Sequence, residues 1–124
     1  MTIATIGVDD PITAAKFNEV INAINALGIS WINFNGITPV SIRAVVGNIA
    51  GVTRTSAGLY RISFTTPRAN ANYMVVANCT ANAGNDTGFV MLVALTTTYV
   101  DIWCRNDDGG ANDSAIITVA IIGG

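Results

Sequence analysis

The chain has 124 residues, of which 51% are hydrophobic and 11% charged, with a formal net charge of -2 and Lys16 as its one lysine. That length suits a single domain with a sizeable core. So few cations exclude phosphate-backbone binding as the main role, so nucleic acid is not an expected partner. The polar surface must come from Thr, Asn, Ser and backbone, which suits cover by neighbouring subunits.

Residues 1–12, MTIATIGVDDPI, alternate weakly and end in Asp9, Asp10 and Pro11. They are expected to extend as an N-terminal arm that orders on a partner. They carry no basic segment followed by an apolar core, so no secretory leader is expected. Nor does any run reach the roughly 18 apolar residues of a membrane span, and no membrane partner is expected.

Thr13 is placed as the N-cap of a helix over residues 13–27, closed by Gly28 at C′, so that 13–28 forms an attachment and trimerisation segment. Phe17, Val20, Ile21, Ile24 and Leu27 share one stripe, while Asn18, Asn22 and Asn25 face elsewhere. Such a helix either packs on its own domain or forms a short parallel bundle with the same helix of other subunits. We favour the bundle. Its seam is only about 20 Å long at about 1.5 Å per residue, so the rest of the chain must add contacts.

From residue 29 to 124 the pattern is β-like. Strands are expected at 31–34, at 40–46 with Val40, Ile42, Ala44 and Val46 on one face, and at 49–54. The clearest alternation follows, with Tyr60, Ile62 and Phe64 on one face and Leu59, Arg61 and Ser63 on the other. Further strands are expected at 73–80, 89–95, 99–105 and 115–122, separated by Gly- and Asn-rich turns. The continuous apolar run 89–95 reads as a strand buried on both faces, lying centrally with Val75 and Ala77 over Tyr60, Ile62 and Phe64. The fold class expected is mainly β: an antiparallel β-sandwich, jelly-roll-like, preceded by one short helix.

Chemistry-bearing residues are sparse. The chain has no His, which removes Ser-His-Asp and Cys-His arrangements and most zinc sites. A carboxylate pair for glycoside cleavage would be drawn from Asp86, Asp101, Asp107, Asp108 and Asp113, all but Asp101 in turn contexts where Asp serves the backbone. No enzyme activity and no cofactor are expected. Residues 106–113 are rich in oxygens but lack the ligand spacing of an EF-hand, so no metal is assigned. Asn78, Asn85 and Asn112 begin Asn-x-Ser/Thr triplets that an Asn- and Thr-rich chain produces by chance. Cys79 and Cys104 lie in apolar strands and read as free buried thiols, with a disulfide as the other reading. In VDIWCR, Val100, Ile102 and Cys104 share one face, leaving Trp103 with Asp101 and Arg105 on the polar face. That trio is a candidate subunit contact, the reading we favour, or a ligand platform, against an indole exposed by chance.

WINFNG at 31–36, SIRAVVGNIAGVTRTSAGLYRISFTT at 41–66, and Asn72-Tyr73 before a strand resemble, in content and order, the small trimeric β-domains of tailed-bacteriophage structural proteins. That group comprises capsid decoration, head-fibre and tail-fibre proteins. The chain departs from the commoner pattern at Pro67, Arg68 and the two cysteines. The resemblance implies a non-enzymatic virion component, usually a homotrimer, made in the host cytoplasm and exposed on the particle. The leading expectation is a capsid cement or head-fibre protein held to the major capsid protein or another virion protein through its arm. The alternative is the receptor-binding tip of a tail fibre, which would meet a host-surface receptor.

Overall fold

Period-two alternation places Ile32 and Phe34, Tyr60 and Ile62, Val100, Ile102 and Cys104, and Ile117, Val119 and Ile121 on the inner faces of four strands, where all ten are buried. The computed structural model describes residues 13–26, 28–80 and 88–123. It is mainly β: two four-stranded antiparallel sheets packed as a sandwich, preceded by one short helix. The helix is α1 (Ala14–Ala26), and the strands are β1 (Ser30–Asn35), β2 (Ser41–Val46), β3 (Gly51–Ser56), β4 (Leu59–Ser63), β5 (Met74–Cys79), β6 (Gly88–Leu95), β7 (Tyr99–Asn106) and β8 (Ile117–Ile122). One sheet runs β2-β1-β8-β5 and the other β3-β4-β7-β6.

Thr13 caps α1 as expected, its Oγ1 accepting the Lys16 N–H at 3.2 Å, and Gly28 follows the helix with φ 58°. Leu27 lies outside the described residues, as does the side chain of Ile24. The proposed arm, residues 1–12, also lies outside them.

The inner faces meet through edge-on aromatic pairs. Phe34 and Tyr60 have ring centroids 5.3 Å apart, and Phe64 and Tyr73 5.6 Å. Tyr60, Ile62 and Phe64 are buried, as the alternation requires. Gly36 closes the WINFNG segment under the Tyr60 ring. A Cβ there would press on the Tyr60 hydroxyl and lie 2.7 Å from Ile117 Cδ1, so only glycine fits.

Two expectations are corrected. The apolar run 89–95 is not central: β6 is an edge strand, and Phe89, Met91, Leu92 and Val93 are exposed, Val93 by half. β5 is likewise an edge, although Val75 and Ala77 do pack on the core. Hydropathy records a demand for cover, and within one chain this edge leaves that demand unmet. The second correction concerns residues 40–46. A bulge in the β1–β2 pairing sets Ala44 and Val46 opposite the outward Asn33 and Trp31 but Ile42 opposite the inward Phe34, so these side chains do not share a face.

Candidate functional site

Two outer sheet faces hold the candidate site residues. On the β3-β4-β7-β6 sheet, Tyr99, Asp101, Trp103 and Arg105 all project from β7 away from the core, as alternation with Val100, Ile102 and Cys104 requires. Asp101 accepts paired hydrogen bonds from Arg61, Nε to Oδ1 and Nη2 to Oδ2, both 2.9 Å. That hydrogen bonding raises the Arg61 pKa further. The Arg61 guanidinium also lies 3.6 Å from the Tyr99 ring centroid. The Arg105 guanidinium covers the Trp103 ring at 3.8 Å. Trp103 Nε1 is buried and has no hydrogen-bond partner among the described residues. The structure thus brings Asp101, Trp103 and Arg105 onto one face, but Asp101 is engaged by Arg61 and one indole face is already stacked.

The other outer face, on the β2-β1-β8-β5 sheet, was not singled out from sequence. Cross-strand register aligns Val46, Trp31, Ala120 and Val76 in one row and Ala44, Asn33, Thr118 and Asn78 in the next. Together Trp31, Asn33, Val76, Asn78, Thr118 and Ala120 line an open depression of about 220 Å³. Neither row carries a charge. At its side, Arg43 Nη1 approaches Asn33 Oδ1 at 3.5 Å. Trp31 is exposed, and its outward direction was legible from the alternation with buried Ile32 and Phe34.

The helix residues of the candidate interface stand apart from both faces. Phe17 is 59% exposed, Ile21 is exposed and Val20 is half-buried. Among the described residues, α1 makes no extended packing contact with any strand. It is also too short and too polar to cross a membrane.

The acidic loop candidates are occupied in other ways. Asp108 Oδ1 accepts the Gly110 N–H at 2.8 Å in a tight turn around Gly109, φ 83°. Asp113 is the hub of a network: Arg54 donates to it through Nε and Nη2 at 2.9–3.1 Å, Gly58 N–H at 2.9 Å and Tyr60 Oη at 2.8 Å. Burial by itself would raise the Asp113 carboxyl, but these donors, Arg54 foremost, hold it below its ordinary value. Burial, then the bond to Asp113, pushes the Tyr60 hydroxyl far up, so it stays a donor. Gly58, φ 70°, is needed at the turn because a Cβ would lie 2.8 Å from Asn112 N. Asp86 and Asn85 lie outside the described residues, and Asn112 is buried with its Nδ2 donating to Ser114 Oγ at 2.8 Å. No group of three or more His, Cys, Asp or Glu side chains suited to a metal occurs among the described residues.

Comparison with protein-family models, curated proteins and solved structures returned no match.

Arg68 is a further residue whose role sequence did not reveal. Its guanidinium lies over Phe64 and Tyr73, at 4.6 and 5.1 Å from their centroids, and Nη1 donates to the Gly123 carbonyl. It closes one end of the sandwich, and burial lowers its pKa. Cys104 is fully buried and Cys79 half-buried; both are free, and burial, then the neighbouring Cys79 thiol, pushes the Cys104 thiol up.

Proposed function

We propose that the chain is a non-enzymatic structural protein of a tailed-phage particle, trimeric through α1 and seated on the capsid as a cement or head-fibre protein. The observation that carries this reading is the uncovered helix. A 13-residue helix is marginal in water by itself, and its own sandwich leaves the Phe17 and Ile21 side open. Copies that met through parallel helices would cover that stripe. Only Leu27, Gly28 and Ile29 separate α1 from β1, so the same meeting would bring the Trp31 rows of neighbouring copies close to the assembly axis. The uncharged rows and the apolar β6 edge are surfaces that further copies or a capsid neighbour would cover. The ordered resemblance of residues 31–73 to phage β-domains supplies the particle context.

Sedimentation velocity of the full chain is expected to give a trimer. Phe17→Asp with Ile21→Asp is expected to weaken association at least tenfold while the β-sheet circular dichroism is kept, because each substitution removes about 1.5–3 kcal/mol of apolar burial per subunit. A monomer at micromolar concentration, or a trimer indifferent to the double substitution, overturns the trimer. Antibody labelling of intact particles then tests the capsid position, with label confined to the tail counting against it.

A second reading, the receptor-binding tip of a tail fibre, is favoured by the depression around Trp31. An exposed indole beside the Asn33 and Asn78 carboxamides and the Thr118 hydroxyl offers a stacking surface with neutral hydrogen-bonding groups, which suits a sugar ring. Trp31→Ala separates the two. On the first reading the trimer weakens; on the second the trimer stands and binding to a host-surface glycan is lost.

A further inference from the structure

We propose that Cys79 and Cys104 are a covalent modification site: a dithiol that closes as an intrachain disulfide tying the β2-β1-β8-β5 sheet to the β3-β4-β7-β6 sheet. The inference is independent of the phage reading. These are the only two cysteines in the chain, and the fold brings them together from strands of opposite sheets. Cys79 ends β5, opposite Ile117 of β8, yet its side chain packs on the shared core and its Sγ reaches across to the other sheet. There it lies 3.1 Å from the place where a Cβ on Gly88 would sit, and Gly88 is paired with Asn106 of β7. A side chain at position 88 would crowd the sulfur, so the glycine keeps its approach open. Cys104 points inward from β7, the strand paired with β6, and is fully buried in the same core cluster on which Cys79 packs.

Their unequal exposure assigns the steps. Cys104 cannot meet an external reagent, whereas half-buried Cys79 can. With a low-molecular-weight disulfide as oxidant, the Cys79 thiolate attacks one of its sulfurs and releases one thiol, leaving a mixed disulfide. Cys104 then gives up its proton and attacks Cys79 Sγ, expelling the second thiol. Two protein thiols are oxidised, one small disulfide is reduced, and the two protons leave on the released thiols. The bond adds a covalent link where Asn112 already ties the two strands, its N–H donating to the Cys104 carbonyl at 3.0 Å and its Nδ2 to the Thr80 carbonyl at 3.2 Å, and it restricts the unfolded chain.

The test uses the full native chain, reduced and then incubated with oxidised glutathione without denaturant. Intact mass and alkylation mapping are expected to show both thiols lost, no retained glutathione and a 79–104 bond within one chain. The melting temperature should rise by about 5–10 °C, while the Cys79→Ala, Cys104→Ala double variant is unmoved by the same treatment. A stable glutathione adduct on Cys79 with Cys104 still alkylatable after unfolding, a bond between chains, or a melting temperature that fails to rise overturns the proposal.

Discussion

Phe34→Ala is expected to lower the unfolding free energy by about 3–5 kcal/mol, the cost of truncating a well-packed aromatic residue and leaving a cavity. Phe34 is fully buried on β1, an inner strand of its sheet, and it meets the Tyr60 ring of the opposite sheet edge-on at 67°. β1 cannot move inward by itself to fill the space without breaking its pairing with β2 and β8. The contrasting variant is Leu92→Ser. It lies at the β6 bulge, about half exposed, and should cost less than about 1 kcal/mol in the isolated subunit. Urea unfolding of both checks the placement. Equal losses would mean that β6 is covered within the subunit and that the sheet order is different.

Asp113→Ala is expected to cost about 2–3 kcal/mol. Removing one partner of a buried ion pair costs about 3–5 kcal/mol, and the figure is reduced here because the Arg54 and Asp113 side chains keep 31% and 26% of their exposure. Tyr60 Oη can turn its single proton to the Gly36 carbonyl, 2.9 Å away, whereas Gly58 N–H and the Arg54 guanidinium lose their common acceptor. The pH dependence has a definite sign. Because the folded carboxyl titrates below its unfolded value of about 3.9, its contribution is present in full above that pH and is lost as pH falls through the folded value. The difference between wild type and Asp113→Ala should therefore be flat from neutral pH to about 4 and shrink below it. Urea titrations at a series of pH values measure this directly; a difference that grows on acidification would mean that Asp113 is not held as a carboxylate by Arg54.

Much of the local structure was determined by sequence alone. Thr13 and Gly28 bound the helix because a side-chain acceptor and a residue free to adopt positive φ are what helix ends require. The inward sets on β4 and β7, and the outward direction of Trp103, follow from period two, a property of each strand by itself. Trp31 and Asn33 obey the same rule, so the β1 part of the depression follows from period two; Thr118, Ala120, Val76 and Asn78 join it only through cross-strand register.

Pairwise facts between distant residues belonged to tertiary structure. The apolar residues of β6 were read as a central strand because hydropathy measures what a segment would hide, not which neighbour hides it. A one-residue bulge opposite the Asn33–Phe34 step divided the β2 side chains between two faces, and nothing in SIRAVV announces it. Asp113 looked like any turn aspartate because Arg54 and Tyr60, more than fifty positions away, become its partners only when β3 and β4 fold against the 106–113 loop. Cys79 and Cys104 likewise became neighbours only when one sheet closed on the other, since strand period sets the direction of a thiol but not what stands opposite it.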